Sequence, residues 1–121
     1  MTEHNPEFLK IKNLDDAKKE IEKIGSDKYS ISIMAPKAIT KVIKLKKVTL
    51  QDAIIIKQDM LSIGGEVAVP KNTFELKEEK ANILVIGNLS QHKILIEKLK
   101  RHYPRIKKIA NEIELILKDL L

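Results

Sequence analysis

The sequence contains no cysteine and no tryptophan, and only two Tyr and two Phe among 121 residues. Without cysteine there is no disulfide, thiol nucleophile, zinc–sulfur site or iron–sulfur cluster. With aromatics at 3%, stacking on rings is a poor route to recognising a ligand or a single-stranded base. Long apolar runs are missing as well. Ala53-Ile54-Ile55-Ile56 and Ile83-Leu84-Val85-Ile86 fall far short of the about 20 residues a membrane span needs. The opening Met1-Thr2-Glu3-His4-Asn5-Pro6 has neither a basic start nor an apolar stretch. That argues against a signal peptide and for a cytoplasmic protein without membrane contact. The catalytic inventory is equally thin. His4, His92 and His102 have no spaced Asp, Glu or His partner of the kind a metal site or triad needs. Neither a metal nor a cofactor is expected, and no pair of acids reads as a general acid and base.

What is present describes one folded domain, residues 1–121. A 43% apolar and 33% charged composition suits a globular chain long enough to bury a core. The richness in Lys, Glu and Ile, with four Gly, suits a heat-loving source. The net charge of +6 is unevenly spread. Lys98, Lys100, Arg101, Arg105, Lys107 and Lys108 form one stretch without an acid between them. Lys41, Lys44, Lys46 and Lys47 form a second. Such runs are either solvated faces or a basic surface for RNA or another anion.

Periodicity then gives the elements. Leu14, Ala17, Ile21 and Ile24 recur at helical spacing behind the cap residue Asn13, with Gly25 as the stop. Tyr29, Ile31 and Ile33 alternate with Ser30 and Ser32, the pattern of a half-buried strand ended by Pro36. Lys41 to Val48 reads as a strand with one solvated face. Thr49 caps a helix from Leu50 to Ile63, with Asp52 as an approximate capping box. Glu66 to Val69 is a short strand before Pro70, and Phe74 to Leu76 offers another. Ile83 to Ile86 reads as a central strand covered on both faces. Ser90 caps a helix from Gln91 to about His102, with Ile94, Leu95 and Leu99 inward. Pro104 opens the last, from Arg105 to Leu120. The sum is an α/β domain with a mixed sheet of four to five strands and about four helices.

Three places carry functional interest. On the helix after Thr49, Lys57 falls inside the apolar arc and Ile55 inside the polar one. Lys57 either lifts its ammonium to water along its stem or meets an anion. Gly64 and Gly65 serve as a left-handed helix cap or as a close backbone approach to a ligand. The turn Gly87-Asn88-Leu89-Ser90-Gln91 leads from a strand into a helix N-terminus, a placement that favours anions, or Ser90 is simply a cap. Lys57 and the Asn88–Ser90 turn together could line a small-molecule pocket. The stripe Ile106, Ala110, Ile113, Leu117 and Leu120, widened by Ile109 and Ile116, packs on the sheet or docks a partner or a second copy along Ile106–Leu120.

The segment Ile55-Ile56-Lys57-Gln58-Asp59-Met60-Leu61-Ser62-Ile63-Gly64-Gly65-Glu66-Val67-Ala68-Val69 resembles one in dihydropteroate synthases that carry an N-terminal extension domain. There it runs approximately Leu-Lys-Gln-Glu-Met-Leu-Ser-Leu-Gly-Gly-Asp-Ala-Ala-Val. The likeness extends to Ala81–Leu89 and Ile96–Lys100, and covers roughly Val42 to Ile113. In that family, condensation of a pterin diphosphate with p-aminobenzoate belongs to a barrel domain that follows. The Asn-Thr-Pro-Asp-Ser-Phe type of motif that opens the barrel's site is absent here, so no catalytic residue carries over. The resemblance implies a stand-alone extension domain. Lys57, Gln58, Asp59, Gly64 and Gly65 match its motif, and the role is an accessory one beside a pterin-pathway enzyme or as a homo-oligomer.

Overall fold

The computed structural model describes residues 3–71, 73 and 79–120. The first helix, α1 (Leu14–Ile24), starts where Asn13 Oδ1 accepts the Asp16 N–H at 2.8 Å. It stops at Gly25, whose φ of 89° turns the chain left-handed. The Tyr29–Ile33 segment is not a strand. Asp27 caps it by accepting from Ser30 N–H and Oγ, and α2 (Lys28–Met34) follows. Ile31, Met34 and Ala35 lie three and four residues apart and turn inward, while Ile33 stays half exposed. Helical spacing lay beneath the alternation, and the cap decides between the two. A 3-10 turn (Ala35–Ala38) carries Pro36 at its start and leads into the sheet.

The sheet has three strands among the described residues: β1 (Thr40–Thr49), β2 (Glu66–Ala68) and β3 (Lys80–Asn88). Their order is β1-β3-β2, and both pairings with β3 are antiparallel. The expectation of a mixed sheet of four to five strands is therefore corrected. One expected strand is α2, and the strand at Phe74 to Leu76 lies outside the described residues. Between β1 and β2 runs α3 (Leu50–Ser62), capped by Thr49 Oγ1 on the Asp52 N–H. β3 thus inserts between two parallel strands joined through a helix.

β3 is central but covered on one face only. Ala81, Ile83, Val85 and Gly87 point inward, while Asn82, Leu84 and Ile86 point away. A strand with two apolar sides reads as doubly buried, yet among the described residues the helices that pack on this sheet lie on one side. α3 and α4 (Leu89–Leu99) cover the inner face, and α5 (Pro104–Leu117) packs on α4. Asn88, rather than Ser90, caps α4 in a reciprocal capping box with Gln91. Leu95 and Leu99 are buried as expected, but Ile94 is exposed.

Ile56, Met60, Ile83, Val85, Leu95, Ile96, Leu99, Ile106 and Ile113 form the heart of one core. Each such side chain stabilises the fold by about 1.5–3 kcal/mol when fully buried. The stripe of α5 is used here: Ile106, Ala110, Ile113 and Leu117 are all inside. Leu115 and Ile116 remain 65% exposed.

Candidate functional site

The end of α3 and the start of α4 meet at the glycines. Gly64 has a φ of 87°, and its N–H reaches the Leu61 carbonyl, while Gly65 N–H reaches that of Met60. A Cβ on Gly65 would stand 2.7 Å from Met60 Cε, and one on Gly87 only 2.4 Å from it. A side chain at either glycine would have to push aside the buried Met60 packed between them. Gln91 closes the arrangement, donating from Nε2 to the Ile63 carbonyl. Gly64, Gly65 and Asn88 thus come together with Lys37, Thr40, Glu66 and Gln91 around a shallow open depression of about 450 Å³. The peptide N–H groups of Gly64, Gly65 and Asn88 are all engaged within the chain, so the turn offers little to an anion. Ser90 is half buried and does not line this depression.

Lys57 neither snorkels freely nor waits for a ligand. Its Nζ donates to Glu66 Oε1 at 2.9 Å and to the Val67 carbonyl at 2.7 Å, tying α3 to β2. The Lys57 ammonium in turn holds the Glu66 carboxyl below its usual range, helped by the Val67 N–H. Gln58 is exposed. Asp59 faces away from the glycines and accepts from His102 Nε2 at 2.9 Å. Of the seven residues picked from sequence, Gly64, Gly65 and Asn88 share the depression, while Lys57, Gln58, Asp59 and Ser90 do not line it. Ile55, placed on the polar arc, packs against the core.

The most developed polar cluster joins α3 to the start of α5. Asp52 is 1% exposed and binds Arg105 through two bonds, Nε to Oδ2 at 2.6 Å and Nη2 to Oδ1 at 2.9 Å. The Tyr103 hydroxyl donates to the same Oδ1, and the Arg105 guanidinium lies 5.2 Å from the Tyr103 ring centre. Burial alone would raise the Asp52 pKa. Hydrogen bonds from Arg105, Tyr103 and Thr49 outweigh it, and the carboxyl lies below its ordinary value. Arg105 is held even more firmly in its charged form by Asp52. A bidentate, desolvated pair of this kind positions groups. Asp52 thus does more than occupy the capping position behind Thr49. The one hint in sequence was a Tyr-Pro-Arg run at a helix start.

His92, on α4, is completely buried. Its Nε2–H reaches the Lys41 carbonyl at 2.8 Å, while Nδ1 makes no hydrogen bond among the described residues. Burial pushes its pKa down, against the carbonyls of Lys41 and Gly87.

The basic stretch spans the end of α4, the turn after it and the start of α5. Lys100 is drawn into Glu114, 3.0 Å from each carboxylate oxygen, with Glu97 also near. Lys98 is half buried on α4, Arg101 follows that helix, and Lys107 and Lys108 stand exposed on α5. Among the described residues no three His, Asp or Glu side chains gather as a metal site, and no helix is long and apolar enough to cross a membrane.

Over 111 residues the chain is 29% identical to a bifunctional dihydropteroate synthase/dihydropteroate reductase of Helicobacter pylori. The chain is related to a dihydropteroate-synthase-containing protein. The match covers 92% of this chain but 29% of that protein's length. No protein-family model matches the sequence, and no solved structure does.

Proposed function

We propose that this chain is an accessory domain that docks on a dihydropteroate-synthase-type catalytic unit in pterin or folate-type metabolism, without turning over substrate itself. The observation that carries the reading is the shape of the match. It runs through nearly the whole chain, yet takes up under a third of a longer protein with two activities. A segment of that kind is a unit joined to catalytic machinery. The one-sided sheet supports it, because the outward face of β1 and β3 carries Val42, Leu84 and Ile86 with nothing packed on them among the described residues. Apolar surface of this type is commonly where a partner sits. On α5, Leu115 and Ile116 offer a smaller apolar contact, suited to a partner or a second copy.

A second reading is favoured by the relative's double name: the segment carries or completes the reductase activity. That reaction takes dihydropteroate as acceptor and needs a reduced nicotinamide or flavin as hydride donor. The two readings separate in one set of assays with the purified chain and a dihydropteroate synthase from the same source. The docking reading expects a complex by sedimentation, changed dihydropteroate formation, and no reduction by the chain alone. Reduction of dihydropteroate by the chain alone would establish the second reading in its place. No complex at tens of micromolar of each protein would sink the docking reading.

A further inference from the structure

Strand β1 breaks its own alternation at Lys46 and Lys47. Leu45 pairs with Ile83 and Val48 with Ala81, so two residues of β1 stand opposite Asn82 alone. This is a β-bulge. Without it Lys47 would share the inward side of β1 with Ile43 and Leu45. With it Val48 takes the inward place, and Lys46 and Lys47 both reach solvent. Lys47 accepts a left-handed φ of 55° to do so, its N–H held by Asn82 Oδ1 at 3.2 Å. A lysine in that region is strained, and such strain gathers at working sites.

The bulge forms one wall of a groove of about 430 Å³, closed on the other side by α5. Lys44, Lys46, Lys47, Lys80, Arg105 and Lys108 line it, against the carboxylates of Asp52 and Glu112. Asp52 is already taken by Arg105. None of the five lysines makes an ion pair with another described residue. Arg105 is aimed as well as charged. Asp52 engages its Nε and Nη2, and Nη1 makes no hydrogen bond within the described residues. Three separate parts of the chain therefore bring cations to one concave place, where they repel each other unless an anion lies between them.

We propose that this groove binds the phosphate chain of a small polyphosphorylated anion. Phosphate suits an oriented guanidinium flanked by ammonium groups, and the volume is that of a small-molecule site. A nucleic acid fits less well. The basic residues make a compact cup, Lys100 is withdrawn into Glu114, and the aromatic ring beside Arg105, that of Tyr103, is engaged with Asp52 and Arg105.

The test is calorimetric titration of the full chain with inorganic triphosphate at about 50 mM and about 200 mM salt. Saturable binding to one site per chain is expected, weakened severalfold at the higher salt. Lys47→Gly combined with Lys108→Ala should weaken it about tenfold or more, with melting unchanged because glycine accepts the left-handed φ. Glu112→Gln should tighten it about twofold. Lys98→Ala with Arg101→Ala removes the same charge outside the groove and should change affinity less than about twofold. Equal losses in both double variants would reduce the effect to net charge and overturn the proposal. So would the absence of saturable binding at the lower salt, or a short RNA that binds more tightly and is not displaced by triphosphate.

Discussion

Inside the fold burial favours the neutral form of His92, whose Nε2–H serves the Lys41 carbonyl and whose Nδ1 makes no hydrogen bond among the described residues. Burial holds its folded pKa below the about 6.5 of an unfolded histidine. The sign follows from where the proton goes. As pH falls through about 6.5 the unfolded chain takes up a proton that the folded chain refuses, so stability drops toward acid pH. The slope is at most about 1.4 kcal/mol per pH unit, and it ends where the folded His92 itself titrates. Denaturant titrations between about pH 7.5 and about pH 5 should show this fall. His92→Gln keeps a donor for the carbonyl and should flatten it. An unchanged slope would assign the effect to another group. None of this was legible in the sequence, where His92 and Lys41 lie 51 residues apart.

At the scale of elements, what could be read was what local chemistry decides. Asn13, Thr49 and Pro104 each announce a helix start, and Gly25 an end, and α1, α3 and α5 begin where those residues say. β1 was legible from its lysines, although its bulge was not, because only pairing with Asn82 creates it. The five residues Tyr29–Ile33 satisfy strand alternation by themselves, and only the Asp27 cap in front of them and Met34 and Ala35 beyond mark the helix. Packing between elements was hidden entirely. Gly65 and Gly87 read as a cap and a ligand turn, but both make room for Met60 where α3 crosses β2 and β3. Gly87→Ala should therefore destabilise the protein by about 1–3 kcal/mol, since Met60 is fully enclosed and must repack. Adding Met60→Ala should cost less than the two separate losses summed, by more than about 0.5 kcal/mol. Chemical denaturation of the four proteins in the cycle measures this, and strict additivity would mean that Met60 is not the obstacle.

For the molecule as a whole, the apolar stripe of the last helix points to α5 as the free surface. Folding reverses the assignment of apolar surface. Most of the α5 stripe goes into the core, whereas β3, read as doubly covered, keeps one side open. A single chain shows which residues are apolar; which of them find partners depends on where every helix lands, and here the helices that pack on the sheet land on one side. On the open side Val42 and Leu84 are 56% and 37% exposed. Val42→Lys places charge where the side chain is mostly exposed and should change unfolding free energy by less than about 0.5 kcal/mol. Leu84 is nearly two-thirds covered and pairs with Lys44, so Leu84→Lys should cost about 1 kcal/mol or more. If the face docks a catalytic unit, the same substitutions bury an unpaired ammonium in the interface and should weaken the complex at least about tenfold. Leu115→Lys on α5 is the comparison. Sedimentation of each variant with the synthase would place the contact on the sheet if the strand variants alone dissociate. Loss confined to Leu115→Lys would move it to the last helix. Variants that all bind as the parent does would remove both faces from the interface.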